Sequence, residues 1–203
     1  MIGILGGTRL ALTLGKALSS RGVEIAYGVR KGFTPTEIEW KILNMSSNKV
    51  KSFKDVIETS NILMICAENT YLELLFEELS NIDLKDKIIL DCTNSDDHRV
   101  FSCNTTFIQS IIDSPKIFKA FNNLGLDYPN SDPMGLVKET YFCGPDIPEK
   151  NVVKQVISMV GFKAIDAGQL DNAPLLEAIY HLRKEICNTN KEKTDFHFKL
   201  ISV

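Results

Sequence analysis

The sequence predicts an α/β fold: a doubly wound, mainly parallel sheet with helices on both faces and a small C-terminal α/β extension. Short apolar runs alternate with amphipathic helical stretches along much of the chain. Most of these runs are apolar at every position, which is typical of strands buried on both faces of a parallel sheet. With 203 residues and 44% hydrophobic residues, the chain is long and apolar enough for one packed domain with a small appendage.

Seven segments are predicted to be strands, because each is a short apolar run bounded by polar or turn-forming residues. Five lie in the first part of the chain: IGIL (2–5), EIAY (24–27), ILMIC (62–66), KIILD (87–91) and IFKAF (117–121). Two more, TYFCG (140–144) and FKAIDAG (162–168), follow the turn-rich segment after Asn122. A last apolar segment, FHFKLI, lies at 196–201 behind a polar connection.

The stretches between the strands have helical periodicity. The first predicted helix runs from Leu10 to Ser20, with its apolar residues on one face. Thr34, Pro35 and Glu37 form the pattern of a capping box at the start of a second helix. Ser52 is suited to cap a third helix. Further helices are predicted at 71–79, at 149–160 with Gly161 as the C-terminal cap, and at 172–186.

Composition argues against several classes of function. A formal net charge of −3 does not fit a general nucleic-acid binder, and no apolar run is long enough to cross a bilayer. Met1 is followed at once by strand-like residues, so we expect no signal peptide. The five cysteines form no C-x-x-C pair and the three histidines are scattered. We therefore expect a cytoplasmic protein with reduced thiols, no metal site, and no membrane or nucleic-acid partner.

The opening segment resembles a dinucleotide-binding loop of the Rossmann type. Such a loop joins a buried strand to a helix whose N-terminal amides face a pyrophosphate. The fingerprint G-x-G-x-x-G/A maps onto residues 6–11, with Gly6 first, Thr8 in place of the middle glycine and Ala11 last. Thr8 would either crowd a phosphate or bond to it. An ordinary turn without a cofactor is the alternative for this motif taken alone.

The end of the second strand favours NADP over NAD. NAD-binding proteins carry an acid there, which holds the ribose diol. This chain has Arg30 and Lys31 instead. A guanidinium can pair with the 2′-phosphate of NADP through two hydrogen bonds, and a neighbouring ammonium adds charge. A solvated basic loop is the alternative.

Five of the residues named as site candidates follow predicted strands: Gly6, Arg30, Ala67, Asn94 and Asn122. Parallel strands end at one edge of a sheet, and open α/β sheets bind ligands at that edge. The opening loop is therefore predicted to be a modified cofactor loop. Asn94 and Asn122 could also serve as caps of loop backbone at strand ends.

Several segments of the chain, in this order, resemble the NADP oxidoreductases that use the deazaflavin coenzyme F420, to which the cytoplasmic domains of six-transmembrane ferrireductases are related. The motifs are IGILGGTRLALTLGKALSSRGVEIAYGVRK, IILDCTN, KAFNNLG, YFCG, GFKAIDAGQLDNAPLLEAI and FHFKLI. The resemblance implies a small enzyme, commonly a homodimer, that binds NADP(H) and passes hydride to a flavin or deazaflavin acceptor. With Gly7 and Lys31 added from the loop and strand patterns, the expected cofactor-binding residues are Gly6, Gly7, Thr8, Arg9, Leu10, Arg30, Lys31, Cys66, Ala67, Glu68, Asn94, Ala120, Phe121 and Asn122.

The chain departs from the family at three places. Thr8 or Arg9 replaces a glycine of the loop, and Val29 stands before Arg30 where the family has a small residue. Cys66-Ala67-Glu68 stands where the family commonly has Ala-Val-Pro. The Glu68 carboxylate would repel a pyrophosphate unless it is paired.

No catalytic side chain is expected, because hydride transfer between two bound rings depends mainly on their alignment. One alternative is a dehydrogenase of a small organic substrate with Lys119 as acid/base, since Lys119 and Asn122 match a K-x-x-N pair. On the predicted strand, however, these two side chains would point to opposite faces. A non-catalytic NADP-binding protein is the other alternative.

We expect a dinucleotide-binding domain at 1–123 and a small C-terminal extension at 124–203. The predicted last helix carries a broad apolar stripe of Leu175, Leu176, Ile179 and Leu182. Part of this stripe is expected to pack against a second copy of the chain. The alternative is that the whole stripe belongs to the core of one chain.

Overall fold

A computed structural model describes residues 1–35, 37–46, 49–96, 103–124, 128–130, 132–190, 197–198 and 201. Within them the strands are β1 (Ile2–Leu5), β2 (Ile25–Val29), β3 (Val50–Ser52), β4 (Ile62–Ile65), β5 (Ile88–Asp91), β6 (Ile117–Ala120), β7 (Glu139–Cys143) and β8 (Lys163–Asp166). The α-helices are α1 (Arg9–Ser19), α2 (Ile38–Ser46), α3 (Phe53–Thr59), α4 (Leu72–Ser80), α5 (Asn104–Ile111), α6 (Glu149–Val160) and α7 (Ala173–Thr189). Two 3-10 turns span Asn69–Tyr71 and Leu170–Asn172.

The strands form one sheet in the order β3-β2-β1-β4-β5-β6-β7-β8. All neighbouring pairs are parallel except β6 and β7, which are antiparallel. From β1 the chain first builds outward through β2 and β3, then returns to add β4 on the other side. The point between β1 and β4 is where open α/β sheets bind ligands. The predicted fold class, a Rossmann-type doubly wound sheet, is confirmed.

Helices cover both faces of the sheet. Leu14 of α1 and Val153 of α6 belong to the core cluster on one face. Val56 of α3, Leu75 of α4 and Ile108 of α5 belong to the cluster on the other face. Because strands β1, β2, β5 and β6 are buried along their whole length, the sheet is the centre of a two-sided core.

The C-terminal segment extends the same sheet. Strands β7 and β8 add to its β6 edge, and α6 packs on α1. Helix α7 packs on β6 and β7, with Leu176 in a third core cluster. The division of the chain at residue 123 stays a prediction. The last apolar segment, FHFKLI, lies mostly outside the described residues. No described helix has the length and apolar character needed to span a membrane.

One predicted helix start is wrong. Helix α2 begins at Ile38, so Thr34 and Pro35 lie in the loop before it. The Glu37 side chain forms an ion pair with Arg9 instead of turning back to cap the helix. By contrast, the predicted cap of α3 is confirmed, since the Ser52 hydroxyl accepts a hydrogen bond from the Asp55 backbone N–H at 3.1 Å.

Two elements were not predicted from the sequence, β3 and α5. Strand β3 is only three residues long and pairs at the sheet edge, so it has no apolar run to reveal it. Helix α5 begins without a side-chain hydrogen bond from its cap, Cys103.

Candidate functional site

A cavity of about 460 Å³ lies at the carboxyl ends of β1, β2 and β4. These three strands meet at the switch point of the sheet. The residues that line the cavity come from the loops after these strands and from α2 and α3: Gly6, Gly7, Thr8, Arg9, Arg30, Phe33, Thr34, Pro35, Glu37, Trp40, Phe53, Ala67, Glu68 and Tyr71.

The glycine loop forms the floor of this cavity. Gly6 has φ +135°, and a Cβ atom there would lie 2.5 Å from the Cys66 carbonyl oxygen. A side chain at Gly7 would collide with the ring of Phe33, which folds over the loop from the end of β2. Gly6 therefore requires glycine for its backbone conformation, whereas a side chain at Gly7 would force the ring of Phe33 to move away from the loop.

Thr8, which replaces the middle glycine of the fingerprint, is turned into the protein. Its hydroxyl donates a hydrogen bond to the Cys66 carbonyl at 2.8 Å and accepts one from the Ala11 backbone N–H at 3.2 Å. Thr8 is thus the N-cap of α1 and a tie between the loop and the end of β4. Thr8 is 6% exposed, so its side chain does not block the cavity.

The start of α1 presents a partial positive charge to the cavity. The first turn of α1 carries no acidic residue, so the partial positive charge of the helix end is not offset from within the helix. Arg9, its first residue, lines the cavity with a side chain that is 37% exposed. Its guanidinium donates to Glu37 Oε1 at 2.6 Å and to Asn130 Oδ1 at 3.2 Å. The charge of Arg9 is therefore already paired with a carboxylate of the cavity wall.

Arg30 lies where the sequence predicts the 2′-phosphate contact. It follows β2, lines the cavity and is half-buried. Its Cζ lies 4.5 Å from the ring centroid of Tyr71, and its Nη1 donates to the Gly32 carbonyl at 3.3 Å. Lys31 is exposed and does not line the cavity.

The structure brings together half of the residues expected at the site. Gly6, Gly7, Thr8, Arg9, Arg30, Ala67 and Glu68 surround the cavity. Four others place their side chains in the core, with no exposed surface: Leu10, Cys66, Ala120 and Phe121. Any contact of those four with a ligand would come from the backbone.

The cavity also contains residues that sequence reasoning missed: Phe33, Glu37, Trp40 and Tyr71. Phe33 and Glu37 reach the glycine loop because the β2–α2 segment folds back over it, which no local pattern indicates. Trp40 is 1% exposed, and its indole N–H has no hydrogen-bond partner within the described part of the chain. Tyr71 could have been found, since it lies in the turn directly after β4, where ligand-binding residues are expected.

A second cluster of polar side chains surrounds Lys119 of β6. The Nζ of Lys119 is fully buried and donates to Asp91 Oδ2 at 2.7 Å, to the Thr93 carbonyl at 2.7 Å and to Glu177 Oε1 at 2.5 Å. Burial lowers the pKa of Lys119, but the carboxylates of Asp91 and Glu177 outweigh burial and raise it above its ordinary value. With three donors used and no exposed surface, Lys119 cannot serve as the acid/base of a bound substrate.

Asn122 and Lys119 do not point to opposite faces, so that prediction is wrong. Strand β6 ends at Ala120, and Phe121 takes a left-handed conformation with φ 66°. This bend turns Asn122 back, and its Nδ2 donates to the same Thr93 carbonyl at 2.9 Å. It also donates to Asn94 Oδ1 at 2.8 Å, so the two asparagines form one pair at the ends of β5 and β6, outside the cavity lining.

Comparisons with known proteins support this architecture. No family model matches the chain. It is 22% identical to the metalloreductase STEAP3 of Rattus norvegicus over 183 residues. This aligned region covers 88% of this chain but only 36% of STEAP3. The chain therefore spans about a third of the length of this curated relative.

Among solved structures, a protein of Arthrobacter sp. FB24 described as an F420-dependent NADP reductase matches with a TM-score of 0.74 and 17% identity, covering 99% of both chains. An imine reductase from Aspergillus terreus, solved with NADPH4 and dibenz[c,e]azepine, matches with a TM-score of 0.65 and 14% identity over 92% of this chain and 61% of that chain. At these identities the matches establish the fold. The resemblance drawn from the sequence motifs is thus confirmed: the chain is similar in fold to an F420-dependent NADP reductase and in sequence to a STEAP metalloreductase.

Proposed function

We propose that this chain is an NADP(H)-dependent oxidoreductase that transfers hydride between the nicotinamide and a flavin or deazaflavin-type acceptor. The observation that carries the proposal is the cavity at the switch point, where a glycine loop, the start of α1 and Arg30 converge. This convergence follows from strand order and does not depend on the resemblance. The names of the similar proteins, an F420-dependent NADP reductase and a metalloreductase, support the same class of chemistry.

In this proposal each part of the cavity holds one part of the cofactor. The amides of the first turn of α1 and the glycine loop bind the pyrophosphate, as helix N-termini do in other dinucleotide sites. The guanidinium of Arg30 binds the 2′-phosphate through charge-assisted hydrogen bonds. Arg9 adds positive charge beside the pyrophosphate once a phosphate oxygen replaces the Glu37 carboxylate.

The burial of Lys119 disfavours the dehydrogenase alternative, in which this lysine would be the acid/base. Reduction of a carbonyl or imine needs a proton donor at the substrate, and the sequence candidate for that role, Lys119, is sealed inside the protein. Hydride transfer from a nicotinamide to a flavin-like ring needs alignment more than side-chain chemistry, because the hydride carries both electrons from one ring to the other. The bound NADP(H) supplies that hydride chemistry.

A non-catalytic NADP-binding protein is the second candidate. It is favoured by Glu68 at the cavity wall, because a carboxylate there would repel an electron-rich acceptor ring unless it is paired. The two candidates differ in turnover. A binding protein would take up NADPH without consuming it.

A homodimer and a cytoplasmic location remain part of the proposal. Leu175 and Leu182 of α7 are 62% and 54% exposed, whereas Leu176 is in the core. These exposed leucines lie seven residues apart, on one face of the helix, where a second copy could cover them. All five cysteines are free thiols, which suits a reducing compartment.

Consumption of NADPH by a redox acceptor tests the proposed function. NADPH is mixed with the protein and either FMN or coenzyme F420, and the loss of NADPH absorbance is followed. We expect faster oxidation with at least one acceptor than in the protein-free reaction, and a lower rate with Arg30→Ala. If NADPH binds but neither acceptor accelerates its oxidation, the binding-protein candidate is the better one.

A further inference from the structure

Tyr71 lies beneath the guanidinium of Arg30 at the wall of the cavity. The distance of 4.5 Å from Cζ to the ring centroid is in the range of a cation–π contact. Arg30 follows β2 and Tyr71 follows β4, so the contact reaches across the end of β1 between two strands that do not pair with each other. Both residues are half-buried and line the cavity.

The turn that carries Tyr71 is fixed by hydrogen bonds. Asn69 Nδ2 donates to the Asn94 carbonyl at 2.8 Å, and Asn69 Oδ1 accepts from Asn104 Nδ2 at 2.8 Å. The backbone N–H of Tyr71 donates to the Glu68 carbonyl at 2.9 Å. The turn that carries Tyr71 is therefore held in place by the loop after β5 and by the first residue of α5. Its ring offers a fixed platform to Arg30.

Arg30 depends on such a platform. Within the described residues, its hydrogen bond to the protein is the long contact of 3.3 Å from Nη1 to the Gly32 carbonyl. A long side chain that must be ordered on binding loses conformational entropy, and this loss weakens affinity. The contact with Tyr71 covers one face of the guanidinium, and the N–H groups that do not bond to Gly32 can donate to an anion.

We propose that Tyr71 is a positioning residue that holds Arg30 for the 2′-phosphate and thereby sets the preference of the site for NADP(H) over NAD(H). The inference rests on the proposed function, since the 2′-phosphate is the group that Arg30 would bind. The ring acts through Arg30 alone. Its effect therefore appears in the ratio of the NADPH and NADH affinities.

The test measures both affinities in four proteins through the emission of Trp40, the only tryptophan of the chain and a residue of the cavity wall. The proteins are the unmutated chain, Tyr71→Leu, Tyr71→Phe and Tyr180→Leu. Tyr180 is a matched control, because it is half-buried, lies 5.8 Å from the guanidinium of Arg183 and does not line this cavity. We expect the preference for NADPH to fall about fivefold in Tyr71→Leu and to persist in Tyr71→Phe and in the control.

Two further variants separate positioning from a general effect on folding. In an Arg30→Ala background, Tyr71→Leu should not change the ratio again, because the residue through which it acts is absent. Tyr71→Met removes the ring but keeps an apolar side chain, so it should also lower the ratio. This variant repeats the test if Tyr71→Leu does not fold.

A preference for NADPH that survives Tyr71→Leu or Tyr71→Met in a folded protein would overturn the inference and leave the proposed function intact. An equal fall in Tyr71→Phe and Tyr71→Leu would also overturn it, since phenylalanine keeps the ring face. If the unmutated protein binds neither nucleotide, the proposed function is wrong and the inference falls with it.

Discussion

The ammonium of Lys119 and the carboxylate of Glu177 lie 2.5 Å apart with no exposed surface on either side chain. This ion pair joins β6 to α7. It also joins the two segments that make the family resemblance specific, KAFN at 119–122 and DAGQLDNAPLLE at 166–177. Neither segment is needed for a generic doubly wound sheet. Their common role is to bury one charged cluster, since Glu177 also accepts hydrogen bonds from the backbone N–H groups of Ser95 and Asn104.

Lys119→Met should strongly destabilise the protein. It leaves the carboxylates of Asp91 and Glu177 buried without their cation, and breaking a buried pair in this way costs about 3–5 kcal/mol. Urea unfolding followed by circular dichroism measures the free energy of unfolding. Lys16→Met is the control, because Lys16 pairs with Glu39 at the surface at 2.7 Å and should matter little. Similar small losses in both variants would contradict the role given to Lys119.

Thr8→Gly should lower stability without tightening NADPH binding. The variant restores the glycine of the usual fingerprint but removes the N-cap of α1 and the hydrogen bond to the Cys66 carbonyl. Loss of a cap together with a buried hydrogen bond costs about 1–2 kcal/mol. Thermal unfolding and NADPH titration of the same preparation measure both effects. Tighter NADPH binding in Thr8→Gly would mean that the threonine obstructs the pyrophosphate after all.

Glu37→Gln should tighten NADPH and NADH alike. The Glu37 carboxylate holds Arg9 at 2.6 Å, and the amide that replaces it leaves the full charge of Arg9 to the pyrophosphate, which both nucleotides carry. We expect an increase of about threefold to tenfold in both affinities. Glu39→Gln is the matched control, since Glu39 lies two residues further on in the first turn of α2 but pairs with Lys16 away from the cavity. Weaker binding in Glu37→Gln would show instead that Glu37 keeps Arg9 in its productive position.

Much of the fold was predictable because apolar runs identify buried strands wherever the chain crosses the sheet. The strands at 2–5, 88–91 and 117–120 are clear in the sequence for this reason. Short edge elements such as β3 lack that signal. The start of α2 was misplaced because Glu37 fits a local capping pattern, whereas in the folded chain Arg9 competes for its carboxylate.

The site residues that directly follow strands could be predicted from the sequence. Those on the loop that folds back over the glycine loop could not. Gly6 and Arg30 follow their strands directly, so the order of elements brings them together. Phe33 and Glu37 reach the cavity through a long-range contact of the β2–α2 segment with the glycine loop. The environment of Lys119 was also hidden, because its partner Glu177 is distant in the sequence.

Titration of the unmutated protein with NADPH and with NADH, followed by the emission of Trp40, tests the assignment of the cavity most directly. We expect saturable binding of both, with NADPH bound between about fivefold and about 150-fold more tightly, because Arg30 adds charge-assisted hydrogen bonds to the 2′-phosphate. Arg30→Ala should remove this difference while NADH still binds. Equal affinities in the unmutated protein, or no binding of either nucleotide by fluorescence and calorimetry, would contradict the assignment of this cavity to NADP(H).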